Sequence, residues 1–182
     1  LLLLDRGKHA ESEQAFEAAF ALWEKLADEF PDDPWYRFDL ARARHNRGIV
    51  LTDLGKLAEA EKALLAGREI RKDLVARQEN HPAHRHYRQH LGTSHTGLAR
   101  LYRQRGEAAK AEAAHRKAVA VYEELHENFP DNAEYSAELG DSYCNLATGP
   151  NLLGQRAAAE AAFHEAIKLH EPLVKEFVDN AD

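Results

Sequence analysis

A chain of 182 residues with 44% apolar content has the length of one compact domain or a short repeat array, and that content argues against disorder. Gly and Pro number only 10 and 6, and Ala, Leu, Glu and Arg dominate; all four are good helix formers, so an all-helical chain is expected. The net charge of −7 conceals a gradient of −3 over residues 1–80, +6 over 81–117 and −10 over 118–182, and a basic middle between acidic flanks argues against a nucleic-acid partner. The chain opens on Leu1 to Leu4, an apolar run costly to leave bare at a free end, so it reads as a piece of something longer. The first predicted helix covers 8–29, with Phe16, Ala19, Trp23, Leu26 and Phe30 three or four apart. The stretch "FPDDPWYR" ends it: Asp33 can cap the next helix and Pro34 suits its first turn, giving a helix over 34–54 closed by a tight turn at Gly55. Further helices are predicted over 56–80, 84–105, 107–128, 133–153 with a break near Pro150, and 155–178.

Four segments are one pattern: "GKHAESEQAF" from Gly7, "GKLAEAEKAL" from Gly55, "GEAAKAEAAH" from Gly106 and "GQRAAAEAAF" from Gly154. The glycines are separated by 48, 51 and 48 residues, while Pro31 to Gly55, Pro82 to Gly106 and Pro130 to Gly154 are each 24. The three extra residues therefore lie between Gly55 and Pro82, where they can lengthen a helix by nearly one turn and keep its buried face. After the prolines come Tyr36 and Leu40, Tyr87 and Leu91, Tyr135 and Leu139, again one helical turn apart, so each unit is two antiparallel helices. Small residues recur where paired helices would cross: Gly48, Ala99 and Ala147; Ala60, Ala111 and Ala159, with Ser12 in the first copy; Ala19, Gly67, Ala118 and Ala166.

This arrangement resembles the tetratricopeptide repeat over essentially the whole chain. The resemblance implies an all-α, right-handed α-solenoid of antiparallel helix pairs, one array with units at about 1–30, 31–81, 82–129 and 130–182. The usual unit is roughly 34 residues; the 48-residue spacing here corresponds to two more turns on each helix. Long units ending in "FPDxxxYRxxLA" also look like arrays that accompany large bacterial serine/threonine kinases.

The resemblance further implies that the helices before each glycine line a concave groove. Its lining would be Trp35, Phe38, Arg42, His45, Asn46 and Ile49; then His86, His90, Thr93, Gly97, Arg100 and Gln104; then Glu134, Glu138, Asp141, Asn145 and Thr148. Arg103 lies beside it. Most of these suit a solvated face, but Trp35 and Phe38 are costly to expose. The carboxylate clamp of some tetratricopeptide domains, which holds a chaperone's C-terminal tail, needs basic and Asn residues in the groove. Here Ile49, Gly97 and Asp141 take several of those places and only Asn145 agrees.

Five of the eleven histidines fall between His81 and His95. His81 aligns with Phe30 and Phe129, His84 falls in the loop, and His95 aligns with Tyr143 in the core. His86 and His90 share the groove face, four apart, and align with Glu134 and Glu138. That spacing is compatible with two metal ligands, but structural zinc sites draw mostly on Cys and His, so the four read as polar and ionic cross-helix contacts. No metal or cofactor is expected.

There is no phosphate-binding glycine loop, HExxH or nucleophile elbow, and Cys144 has no base placed beside it, so the segment reads as non-catalytic. No apolar run reaches the roughly 18 to 20 residues that span a bilayer, and no leader pattern is present. The single cysteine fits a reducing, cytoplasmic setting. The expected function is a protein-interaction scaffold, the non-catalytic part of a signalling protein, that takes a peptide or helix in its groove. The alternative is a structural spacer or oligomerisation arm. An acidic or phosphorylated peptide with a hydrophobic anchor would suit Arg42, Arg100 and Arg103 together with Trp35 and Phe38. The competing reading is that Glu134, Glu138 and Asp141 already neutralise those arginines.

Overall fold

The computed structural model describes residues 9–149 and 156–179, with side chains over 18–149 and 157–175. Among the described residues there are seven helices and no strand. They are α1 (His9–Glu29), α2 (Pro34–Asp53), α3 (Leu57–Arg77), α4 (His84–Gln104), α5 (Ala108–Asn128), α6 (Ala133–Ala147) and α7 (Arg156–Asp179). The chain forms two compact units, one ending at Tyr87 and the other beginning at Arg88, a boundary that falls within α4.

Local chemistry sets the helix ends. Asp33 is the N-cap of α2, its carboxylate accepting from Trp35 N at 2.8 Å, and Pro34 occupies the first turn, where its missing N–H costs nothing. Asn132 caps α6 in the same way, accepting from Tyr135 N at 3.2 Å. Gly55 and Gly106 take φ of 75° and 72°, the left-handed conformation that closes a helix. The next residues complete the closure: Lys56 N donates to Leu51 O at 2.9 Å and Glu107 N to Tyr102 O at 2.8 Å. Asp33→Ala is expected to cost about 0.5–2 kcal/mol, read as a lower urea midpoint at unchanged slope.

Two predicted ends are corrected. The helix expected over 56–80 stops at Arg77, and α3 and α5 each hold 21 residues. Two of the three inserted residues therefore lengthen the connection, 78–83, which is four residues long at 129–132; the third is taken up at the start of α4, two residues after Pro82 where α6 begins three after Pro130, and none lengthens α3. Pro82 disfavours the helical region for His81, and Asn80 suits a turn; His81 N donates to Gln78 O and His84 N to His81 O in successive turns. The helix expected over 133–153 ends at Ala147, where Thr148 caps it and Gly149 N turns back to Leu146 O at 3.1 Å. The restriction a proline places on its predecessor acts here before Pro150. Pro150 and the break expected there lie outside the described residues. Within α7 the structure places Pro172, which denies that helix one backbone bond.

In the first unit α2 packs on both α1 and α3, over a core of Phe38, Leu74 and Tyr87 flanked by Ile70, Val75 and Ala83. In the second, α6 packs on α5 and α7, over Ala118, Val119, Tyr122, Leu125, Tyr135, Leu139 and Leu146. Of the small residues expected at crossings, Ala60, Ala99, Ala111, Ala118, Ala147 and Ala166 are buried, and Ala19 and Ala159 are half-buried. The connections share one ring contact. Phe30 meets Tyr36 at 5.3 Å, His81 meets Tyr87 at 5.7 Å and Phe129 meets Tyr135 at 6.0 Å, so His81 does occupy the phenylalanine position of the other units.

Candidate functional site

In the first unit, Trp35 stands at the start of α2 with 59% of its surface exposed. Its ring lies 6.2 Å from that of Phe38, which packs against His86 at 5.1 Å and Tyr87 at 5.6 Å. Phe38 is only 3% exposed. It is a core residue supporting Trp35, which corrects the expectation that both rings are offered to a ligand; the Tyr87 side of the core covers it. Arg42 is also committed. Its guanidinium donates to Asp39 Oδ1 at 2.6 Å, and Asp39 is buried, so Arg42 supplies the cation that a buried carboxylate needs. His45 is half-buried and Asn46 exposed on the same helix.

In the second unit, Arg100, Arg103 and Gln104 are exposed near the end of α4, and Asn145 is half-buried on α6. Arg103 lies close enough to His115 of α5 to act on its titration. A polar network joins α4, α5 and α6. Gln89 Nε2 donates to Glu134 Oε1 at 2.7 Å, and the Tyr122 hydroxyl reaches Gln89 O at 3.3 Å and the Thr93 hydroxyl at 3.2 Å. Burial, with the charges of Asp141 and Glu134, holds the Glu138 carboxyl above the usual carboxylate range, and a hydrogen bond with Tyr122 works the other way. Asp141 Oδ1 faces His170 Nε2 of α7 at 3.4 Å. The α6 face is therefore acidic, and an anion placed there would meet like charge. Neither this network nor the Arg42–Asp39 pair was anticipated from the sequence; the i, i+3 spacing of Asp39 and Arg42 was the available signal.

Among the described residues, no group of three or more His, Cys, Asp or Glu side chains is placed to hold a metal ion. Of the four residues considered for such a role, the His86 ring lies on Phe38, Glu134 holds the Gln89 amide and Glu138 engages Tyr122. His84, expected in the loop, is the first residue of α4, and its Nε2 donates to Val75 O at 3.2 Å. His95 is buried, as its alignment with Tyr143 implies.

His115 is a buried histidine at a position that is Phe16, Leu64 and Phe163 in the other copies. Burial, reinforced by the charge of Arg103, lowers its pKa below the ordinary 6.5. The unfolded chain therefore takes up this proton at a higher pH than the fold does. The stability held by neutral His115 is full above about 6.5 and is lost as pH falls from there through the folded value. His115→Leu is expected to remove that acid-side loss, measured as urea midpoints across the pH range; an unchanged pH profile would place the effect elsewhere.

A family model of the tetratricopeptide repeat matches residues 1–34, 40–83 and 93–132. No curated protein matches the chain. Among solved structures it is similar to the crystal structure of BtubC (BKLC) from P. vanneervenii, with 20% identity and a TM-score of 0.69 over 92% of this chain and 58% of that one. It thus spans less than two thirds of that protein's length. It is also similar to TTC0263, a thermophilic TPR protein in Thermus thermophilus, with 25% identity and a TM-score of 0.47 over 89% of this chain and 70% of that one. No helix among the described residues is long and apolar enough to cross a membrane.

Proposed function

The chain belongs to the tetratricopeptide repeat family, an all-α fold of the TPR-like solenoid class, and from that premise we propose that it is a non-catalytic, cytoplasmic scaffold of a larger signalling protein that seats a protein or peptide partner. The family's repeats mediate protein–protein interaction. The observation that carries the finer reading is Trp35: a largely exposed indole, held from behind by the buried Phe38 ring and from below by the Asp33 cap. Tryptophan is the residue type most often dominant at binding surfaces, and a pre-positioned ring loses little freedom on contact. The partner is an acidic or phosphorylated peptide with an apolar anchor, and the anchor sits on Trp35. Its anion is not taken by the α6 face, where Glu134, Glu138 and Asp141 gather. Arrays of acidic, phosphorylated and basic peptides, probed with the parent chain, Trp35→Ala and the pair Arg100→Ala, Arg103→Ala at low and high salt, test this. Trp35→Ala is expected to abolish binding without moving the melting temperature, and binding indifferent to Trp35 overturns the anchor.

The second reading, an oligomerisation arm, is favoured by a different observation. Phe163, Ile167 and Val174 are 41%, 58% and 61% exposed along α7, at a spacing that puts them on one stripe. A single monomer mass at every concentration in sedimentation would reject it.

A further inference from the structure

The second unit contains a cleft of about 450 Å³ between the end of α5, the start of α6 and α7. Its polar lining is His126, Asp131, Ser136 and Lys168, and its apolar lining includes Leu169, Pro172 and Leu173. Every lining side chain is among those described. The volume falls within the roughly 300–1,000 Å³ of ligand clefts, enough for a whole side chain together with the backbone that carries it.

The repeat shows why the cleft exists. Arg37, Arg88 and Ser136 each stand six residues after the proline of their connection, and Asp73, Glu124 and Pro172 each stand eighteen after the glycine that precedes their helix. Arg37 of α2 donates to Asp73 of α3 at 2.6 Å, and Arg88 of α4 pairs with Glu124 of α5. The same two places on α6 and α7 hold Ser136 and Pro172, so the long side chains that bridge the helices in the other copies are missing together. Two apolar side chains would have closed the gap without the ion pair, which is worth little where it is open to water. Serine and proline leave it open, and a proline inside a helix is itself costly.

The groups that line the gap offer hydrogen-bond acceptors. Ser136 is 8% exposed, and its hydroxyl donates to Asn132 O at 3.3 Å. With that proton engaged, the 3.1 Å bond between Ser136 Oγ and His126 Nδ1 has the ring nitrogen as donor, which leaves Nε2 of the neutral imidazole as an acceptor. Pro172 has no N–H, so the Lys168 carbonyl, which points along α7 toward it, lacks its helical donor. Asp131 adds an exposed carboxylate. The Lys168 ammonium, by contrast, is held by Glu165 at 2.7 Å.

We propose that this cleft receives an arginine side chain presented by a protein partner. A guanidinium is planar, permanently charged and carries donors only, so it suits acceptors spread around one opening. Its aliphatic stem lies along Leu169 and Leu173. The partner's arginine takes the place that Arg37 and Arg88 take in the other copies, with Asp131 and the Lys168 carbonyl standing in for Asp73 and Glu124. The source of the arginine rests on the scaffold reading, while its chemistry does not involve Trp35.

The test titrates the chain with a blocked tripeptide carrying arginine between two glycines, and with its citrulline and lysine counterparts, followed by the backbone chemical shifts of Ser136, Lys168 and Leu173. Citrulline keeps the shape without the charge. The arginine peptide is expected to bind roughly tenfold or more tightly than the citrulline one, and severalfold more tightly than the lysine one, as a forked, charge-assisted contact demands. The double variant Ser136→Arg, Pro172→Glu fills the cleft with the pair that the aligned positions already carry. It is expected to melt higher than the parent, having lost a helix-interior proline, and to bind the arginine peptide roughly tenfold or more weakly. Asp131→Asn, at an exposed position, is expected to weaken binding severalfold without moving the melting temperature. No shift with the arginine peptide, citrulline or lysine binding as tightly as arginine, or equal binding by the parent and the filled variant overturns the site. Free arginine shifting these residues where the blocked peptide does not overturns the assignment to a protein partner. Trp35→Ala is expected to leave arginine peptide binding unchanged, and the filled variant to keep any binding that depends on Trp35, so failure of the groove reading and failure of this one give different patterns.

Discussion

Leu64→Ala is expected to destabilise the first unit by about 2–5 kcal/mol, the range for deleting a buried leucine side chain and leaving the hole. Leu64 is 1% exposed and fills the space that Gly48 of α2 leaves open. A Cβ built on Gly48 would stand 2.5 Å from Leu64 Cγ and 2.8 Å from Cδ2, closer than real carbons approach. Gly48→Ala alone is therefore expected to overpack the crossing, at a cost of about 1–3 kcal/mol. Combined with Leu64→Ala, however, the new methyl enters the hole the leucine vacated, and the double variant should lose less than the two single losses added together. Recovery is partial, because Leu64 N would remain 3.2 Å from the methyl. Urea unfolding of the four proteins measures the coupling, and simple additivity would mean that Gly48 and Leu64 do not meet.

That contact was legible in outline from the sequence. The 24-residue interval from proline to glycine recurs three times, and a fixed interval between a helix start and a helix stop leaves the residues between them one register. Gly48, Ala99 and Ala147 could thus be placed at crossings, and His81 matched to Phe30 and Phe129, before any coordinate was known. The three-residue insertion was less legible: helical periodicity tolerates a turn's worth of extra chain, and turn chemistry at Asn80 and Pro82 decided where it went. The faces were harder still. Trp35 and Phe38 are three apart and share a stripe of α2, yet one is 59% exposed and the other 3%, because burial depends on what covers each point along the stripe as well as on the angle around it. Arg42 looked like a groove cation because its partner, Asp39, is an acidic residue at a buried position, which composition and period both argue against. One difference between the copies was visible in the sequence: Arg47 is the odd residue in a column whose other members are Leu98 and Leu146. Reading the repeat for its similarities passed over that difference.

Ala118→Leu is expected to cost about 1–3 kcal/mol through overpacking, and Ala111→Leu the same. Ala118 is fully buried within the cluster of Val119, Tyr122, Leu139 and Leu146, and Ala111 is 1% exposed on the same helix. Neither position leaves room for three more carbons, so the added side chain must take a strained rotamer or push α5 from its neighbours. Ala113, two residues beyond Ala111 and exposed, is the matched control. The same substitution there adds the same apolar surface to the same helix and should stay within about 0.5 kcal/mol of the parent. The three variants together separate register from composition: a helix propensity effect would move all of them alike, whereas a crossing built on small residues at seven-residue spacing moves Ala111 and Ala118 and spares Ala113. Thermal stability unchanged in both buried variants would mean that α5 does not present these alanines to its neighbours, and the repeat register would have to be redrawn.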